Sequence, residues 1–302
     1  MSRAAVFHRA KEPLQLVQRE LPAPGPGEVT VNIEACGLGL NDWHVAMLDA
    51  LPFTPLVPGC EAVGRVEGTN RRVGIGPLAT SCGACAACRA GRHYRCAAAT
   101  WHGFTKNGAL CTRGNFAEQH LVPLPDGGDA AELAVLMGSG LAALAAVKAA
   151  GPAEKLGVFG LGGLGHLVAQ LADRAVYAFE PDPERLMLAK GQLTGPVALD
   201  AAIVCVPSAQ AIQRAFNLLK PGGRLVLAAS SPTGRIDLSL SALTAREVTV
   251  VGTHLGGPEL LAELLERRPK PVVTRKKLDD APALLYALRD GGFLGRLVFE
   301  PG

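Results

Sequence analysis

Four cysteines, Cys82, Cys85, Cys88 and Cys96, crowd together in the pattern C-x2-C-x2-C-x7-C. Four thiolates from one short loop can close a tetrahedron around Zn(II), leaving no open position, which is the chemistry of a structural site. A bacterial ferredoxin run begins in the same way, but it needs three residues before its fourth cysteine and a proline after it. Here the gap is seven and Ala97 follows. A tight cluster in a chain of enzyme size holds a metal more often than it forms disulfides. The other cysteines divide into Cys60 and the scattered Cys36, Cys111 and Cys205, which read as packing residues.

A second pattern carries different chemistry. Gly160–Leu161–Gly162–Gly163–Leu164–Gly165 fits G-x-G-x-x-G, with an apolar strand before it and a helix after it. Glycines there let the backbone turn sharply and approach a pyrophosphate, and the helix start presents unpaired N–H groups. Glu180 closes the following strand at the spacing where a carboxylate accepts from ribose hydroxyls. That carboxylate repels a 2′-phosphate, and Pro181–Asp182–Pro183 supplies no cation to receive one. NAD(H) is therefore expected over NADP(H), and Arg185 is the residue that could reverse the preference.

The elements that position these groups follow from the pattern of the chain. Its 302 residues suggest two domains. With 48% hydrophobic and 19% charged residues and a mean hydropathy of +0.22, it has ample core material and too little charge for disorder. A net charge of +3, from 30 Lys plus Arg against 27 Asp plus Glu, argues against a nucleic-acid footprint. Arg267, Arg268 and Lys270, and Arg275, Lys276 and Lys277, read as solvated helix-end and loop charges. The uncharged run Leu156–Ala172 is too short for a membrane span, and MSRAAVFHRA places charges where a signal peptide needs apolar residues. A soluble, intracellular, cytoplasmic protein is expected.

Residues up to about 125 read as short strands, such as 30–33 and 62–66, with frequent Pro and Gly. After Asp126–Gly127–Gly128 the texture changes. Residues 130–150 have a helical period, and strands at 155–159, 175–180, 201–206, 223–228 and 248–252 alternate with helices at 166–174, 183–190, 208–219 and 259–267. That alternation predicts a doubly wound parallel sheet in an α/β fold, beside a β-rich domain that a last strand at 296–299 could rejoin.

These features together resemble the medium-chain dehydrogenase/reductase superfamily, in its zinc-containing alcohol dehydrogenase branch. The resemblance runs through Gly25–Pro26–Gly27–Glu28–Val29, Glu34–Ala35–Cys36–Gly37, Pro58–Gly59–Cys60–Glu61, the cysteine lobe, the glycine loop, Leu219–Lys220–Pro221–Gly222–Gly223 and Gly295–Arg296. It implies a GroES-like catalytic domain over 1–128, carrying the zinc lobe at 82–96 and completed by 269–302. A Rossmann domain over 129–268 would bind the nicotinamide through Gly160, Leu161, Gly162, Gly163, Leu164, Gly165 and Glu180. Arg296 matches the arginine that contacts the cofactor pyrophosphate. A homodimer through the Rossmann sheet edge is also implied. Against the family pattern, the stretches between Arg174 and Ala175 and before Arg71–Arg72 are short.

The family usually carries a second, catalytic zinc, and here the sequence departs from it. The segment Cys36–Gly37–Leu38–Gly39–Leu40–Asn41–Asp42 places Gly39 at the first ligand and Asn41 at the usual hydroxyl. Cys60 replaces the ligand histidine, and Met137–Gly138–Ser139–Gly140 offers no third ligand. A catalytic zinc needs about three protein ligands. One structural zinc is thus expected, with His44, which matches the family's proton-relay histidine, and Asn41 as catalytic candidates. Trp43, Trp101 and Phe104 are candidate cleft residues. An activated acceptor such as an enone or quinone needs less polarisation than a simple ketone, so a metal-free oxidoreductase is the leading reading. A zinc site rebuilt from Cys60 and Glu61 with Asp42 or His44, and an inactive nucleotide-binding homologue, are the alternatives.

Overall fold

The computed structural model describes residues 1–189, 193 and 197–301. The chain divides into two compact units, one comprising Met1–Gly138, Gly257–Glu259 and Val273–Gly302, the other Ser139–Gly256 and Leu260–Val272.

The first unit is built on a seven-stranded sheet whose spine is the eleven-residue strand Glu28–Leu38. Val31 and Ile33 and, past a register shift between Ile33 and Ala35, Cys36 and Leu38 face a core that also takes Phe7, Leu56 and Phe116. This strand pairs antiparallel with Glu61–Val66, with Arg113–Ala117 and with Arg296–Glu300. The chain's last strand therefore lies beside its third, bringing Arg296 to the neighbourhood of Gly37 and Leu38. The short helix Leu40–Ala46 follows the spine strand directly. The cysteine lobe carries two short helical turns, Ala86–Arg89, capped by Cys85, and His93–Arg95.

The second unit holds five parallel strands in the order Val176–Phe179, Leu156–Phe159, Leu199–Val204, Leu219–Leu227, Thr249–Gly252. Helices Leu141–Ala150, Gly165–Leu171, Ala209–Leu218, Leu240–Ala245 and Leu261–Arg267 accompany them. This is the expected doubly wound arrangement, with one strand fewer among the described residues than the usual order 3-2-1-4-5-6. Outside Val176–Phe179, where a third strand belongs, the described residues supply one bridge, Tyr177 to Leu193. Only 19 residues separate Phe179 from Leu199. Two crossovers of at least ten to twelve residues each would not fit.

Several boundaries differ from the sequence reading, for local reasons. The helix expected over 166–174 ends at Leu171, because Ala172 is extended and Arg174 donates to the carbonyls of Gly151 and Ala153 instead. The strand expected over 201–206 is Leu199–Val204, and Val206 lies past its end, over the glycine loop. Of the helix expected over 183–190, Pro183–Leu186 is helical and Lys190 lies outside the described residues. The helical stretch 130–150 contains a π turn at Leu136–Gly140. It is the one stretch among the described residues long and apolar enough to cross a membrane, and 78% of its most apolar window is buried within the protein. Within the basic clusters, Arg267 pairs with Glu263 and Asp173, and Arg275 with Asp129 and Glu300.

Candidate functional site

The cysteine lobe brings its four sulfurs together. Sγ separations are 3.5 Å for Cys82–Cys96 and Cys85–Cys88, and 3.9 Å for Cys82–Cys88. A tetrahedron with Zn–S bonds of about 2.3 Å has edges of about 3.8 Å, so the donor set fits a zinc ion. Backbone N–H groups of Cys85, Cys88 and Cys82 donate to the sulfurs of Cys82, Cys85 and Cys96. Such donors favour thiolates. Those from Ala84 and Cys85 pull the Cys82 thiol down to about 6. Among the described residues this is the one group of three or more His, Cys, Asp or Glu whose ligand atoms converge within 4.8 Å. Cys60, Glu61, Asp42 and His44 form no second such group. Beneath the lobe, Ser81 Oγ contacts His93 Nδ1 at 3.0 Å and His120 Nε2 at 3.3 Å, a link that no sequence pattern announced.

In the second unit, the glycine loop has the tight geometry its residues imply. Gly160 has φ of +86°, and a Cβ at Gly165 would fall 2.8 Å from the Gly160 carbonyl carbon. Glu180 reaches back to the loop: Oε2 accepts from the Leu161 N–H at 2.7 Å and Oε1 from the Asp182 N–H at 3.1 Å. The carboxylate is thus fixed beside the turn. Arg185 pairs with Asp182 at 3.5 Å. Arg214, which the sequence reading did not single out, stacks over Phe179 with its guanidinium 4.8 Å from the ring centroid. His166 is fully buried, with Nδ1 2.9 Å from the Gly162 carbonyl and Nε2 accepting from the Val272 N–H. With the carboxylate so placed, replacing Glu180 by Ser should relax discrimination against NADPH. Titration of nicotinamide fluorescence checks this, and tighter NADPH than NADH binding by the unaltered protein would contradict the expected role of Glu180.

In the first unit, the residues where the resemblance places catalytic-zinc ligands surround a different arrangement. Glu61, 1% exposed, extends between Gly37 and Gly138. A Cβ at Gly37 would fall 2.5 Å from Glu61 Oε1, and one at Gly138 would fall 2.9 Å from Glu61 Cβ. Arg296 donates to Glu61 Oε1 from Nε at 2.9 Å and from Nη2 at 2.5 Å. Its guanidinium lies over Gly39, where a Cβ would fall 2.7 Å from Cζ. The space freed by three glycines is filled by an ion pair.

Asp42, the acid that in the resemblance orients a ligand histidine, here ties two backbones together. Its Oδ2 accepts from the Gly39 N–H at 2.8 Å and its Oδ1 from the Gly59 N–H at 2.9 Å. Burial raises its carboxyl to about 6, against the lowering effect of those bonds and of Arg296. Burial also pushes the Cys60 thiol well up, and the charges of Asp42 and Glu61 add to this. Cys60 is thus a poor thiolate.

His44 and Asn41 sit on Leu40–Ala46, His44 half-buried and Asn41 exposed. Desolvation lowers the His44 pKa. Trp43 adjoins His44, with rings 5.3 Å apart, and its indole N–H is buried without a partner among the described residues. Trp101 is half-buried on Thr100–Trp101 and Phe104 is exposed. Cys36 and Cys111 are buried in the core, whereas Cys205 is half-buried.

Residues 25–126 match the alcohol dehydrogenase GroES-like domain and residues 138–268 the zinc-binding dehydrogenase domain. An alcohol dehydrogenase of Moraxella sp. (strain TAE123) is 28% identical over 99% of both chains. One from Geobacillus stearothermophilus is 29% identical over 99% of this chain and 98% of that one. The structure of the alcohol dehydrogenase from Aeropyrum pernix superposes with a TM-score of 0.89 at 26% identity, over 99% of this chain and 100% of that one. A zinc-binding dehydrogenase from Sinorhizobium meliloti bound to NADP shares the fold at 21% identity, with a TM-score of 0.87 over 100% of this chain and 99% of that one.

Proposed function

Because this chain belongs to the zinc-binding alcohol dehydrogenase family of the medium-chain dehydrogenase/reductases, we propose that it is an NAD(H)-dependent oxidoreductase working without a catalytic zinc. Its substrate is a small carbonyl, enone or quinone-type molecule. The observation that carries this reading is the Glu61–Arg296 pair lying against Gly37, Gly39 and Gly138. Glycine has no side chain to donate, and among the described residues no set of three ligand atoms converges at Cys60. The residues present do not fit a second zinc. They fit one zinc in the lobe, where the four thiolates order the loop and leave no open position for substrate.

The nicotinamide, when bound, supplies or receives the hydride. The chain's own residues do the rest. The backbone of Gly160–Gly165 accommodates the pyrophosphate, and Glu180, fixed by Leu161 and Asp182, accepts from the ribose hydroxyls. The fixed carboxylate of Glu180 disfavours a 2′-phosphate, which supports NAD(H) over NADP(H). His44, whose desolvation favours its neutral form, can pass a proton, and Asn41 offers an amide donor. We place a homodimer contact at the outer strand Thr249–Gly252, where Val250 is exposed, and a cytoplasmic location.

Metal content tests the proposal. Elemental analysis should give one zinc per chain, unchanged by Cys60→Ala. A value near two, with the second zinc lost in that variant, would promote a rebuilt catalytic site. Loss of absorbance at 340 nm with an activated carbonyl tests hydride transfer itself, and its absence across a panel of such acceptors would favour an inactive homologue.

A further inference from the structure

We propose that His166 is a positioning residue for the cofactor: fixed as its Nδ1–H tautomer, it holds the Gly162 carbonyl inward so that the Gly163 N–H is turned to the pyrophosphate. The inference rests on the reading that residues 160–165 receive the nicotinamide pyrophosphate. It adds the side chain that shapes that loop from behind.

The partners of the imidazole decide its tautomer. A backbone N–H can only donate, so Nε2, which meets the Val272 N–H at 3.1 Å, is the acceptor. A carbonyl oxygen can only accept, so Nδ1, 2.9 Å from the Gly162 carbonyl, carries the proton. The ring is fully buried, where an unmatched polar atom is costly. The same carbonyl also accepts the His166 backbone N–H at 3.3 Å, so two bonds from one residue draw it into the helix. The Gly162–Gly163 peptide is trans, and in a trans peptide the C=O and the following N–H point in opposite directions. The Gly163 N–H is therefore turned out of the helix. A Cβ at Gly162 would meet no atom within 4 Å, and its φ is not positive. Neither crowding nor backbone strain within the chain calls for glycine there, whereas close approach of a pyrophosphate does.

The segment that fixes the ring has few donors and spends them all here. Pro269–Lys270–Pro271–Val272 has two backbone N–H groups, because proline has none. Both go to side chains of the helix Gly165–Leu171: the Lys270 N–H to Gln170 Oε1 at 2.8 Å, and the Val272 N–H to His166. Gln170 in turn donates from Nε2 to the Lys270 carbonyl at 3.0 Å. The spacings match. Residues four apart on a helix lie about 6 Å apart along its axis, and residues two apart on an extended chain about 6.6 Å. Lys270 precedes proline, which biases it toward that extended form. His166 and Gln170 thus serve this segment as a neighbouring strand would. Gln170 is exposed and His166 is not, so the histidine rung is the one shielded from water. Its part is to supply a donor that forces Nε2 to accept, which leaves the proton on Nδ1 for Gly162.

The unaltered, zinc-replete protein gives the first test. Nitrogen-15 NMR of the histidine rings should show His166 with a protonated Nδ1 and an unprotonated Nε2 before any ligand is added. NADH should move the Nδ1–H resonance downfield, because a pyrophosphate on the Gly163 N–H polarises the Gly162 carbonyl. Adenosine, which lacks the pyrophosphate, should leave it in place. Two substitutions then separate the two nitrogens. His166→Asn keeps a donor near the Nδ1 position, and His166→Gln keeps an acceptor near the Nε2 position. By nicotinamide fluorescence, the Kd for NADH should rise about tenfold in His166→Gln and stay within about threefold in His166→Asn. The Kd for adenosine, from NMR titration, should be unchanged in both. A proton on Nε2, or a resonance that NADH does not move, overturns the proposal without any variant. An unchanged NADH Kd in His166→Gln, or equal weakening in His166→Asn, also overturns it. Weakening of NADH and adenosine together would make the ring a support of the fold alone. If the unaltered protein shows no fluorescence change with NADH, the cofactor reading beneath falls, and the proposal with it.

Discussion

Glu61→Ala should destabilise the first unit by about 3–5 kcal/mol, the cost of leaving one partner of a buried ion pair uncompensated. The carboxylate is 1% exposed, accepts twice from Arg296, and lies against two glycines that cannot fill its space. Removing it therefore adds a cavity to a stranded guanidinium. Both tryptophans of the chain, Trp43 and Trp101, belong to the first unit, so their fluorescence during denaturant titration reports that unit alone. The double variant Glu61→Gln/Arg296→Met should recover much of the loss, because paired removal leaves no unpaired charge. A cost below about 1 kcal/mol for Glu61→Ala, the range of an exposed pair, would mean that the two groups are solvated in solution.

Cys96→Ser should abolish zinc binding and disorder the lobe. Structural zinc contributes about 10–16 kcal/mol of binding free energy in small zinc-finger peptides, and where no site exists in the unfolded chain that energy becomes folding energy. The lobe has little regular structure to hold it: Cys82 is exposed, Cys85 half-buried and only Cys88 and Cys96 buried, and its two helical turns span four and three residues. The expected result is zinc near zero by elemental analysis, a lowered melting temperature, and new proteolytic cleavage between Cys82 and Cys96. Hydride transfer per folded molecule should persist, since the lobe has no open coordination position. A Cys96→Ser protein that melts like the unaltered one would count against a structural metal.

How much of this could be read from residues alone depended on sequence distance. The four cysteines and the glycine loop are local patterns whose spacing already contains their geometry, and both fold as their spacing implies. The loss of ligands at Gly39 and Gly138 was equally legible as absence. What replaced them was not. Arg296 and Glu61 are separated by 235 residues, and nothing in either neighbourhood announces the other. The resemblance pointed Arg296 toward a pyrophosphate but said nothing of its pairing with Glu61. Asp42 shows the same limit, because its type and position were recognisable while its partners, two backbone N–H groups, depend on how the strand and loop meet. The π turn at Leu136–Gly140 was hidden because the apolar run around it looks continuous. Shortening was read before Ala175, and the helix there does end early; the stretch after Phe179, where the described residues form one bridge and no further strand, still reads as an ordinary helix and loop.

That short connection has a consequence for how the chain tolerates change. Closing a loop costs entropy that grows only with the logarithm of its length, so doubling the 19 residues from Phe179 to Leu199 would add about 0.6 kcal/mol. Burying one Val or Leu on a restored strand would return about 1.5–3 kcal/mol. The trimmed connection is thus not a stabilising economy. Val176–Phe179 is the outermost regular strand among the described residues, met on its far side by the Tyr177–Leu193 bridge, with Phe179 stacked on Phe159 at 4.2 Å between centroids and Arg214 laid over it. A longer segment there can extend that bridge into an added parallel strand without disturbing the five already paired. A strand-and-helix segment grafted between Phe179 and Leu199 should therefore be accommodated, making this the natural point for enlarging the molecule.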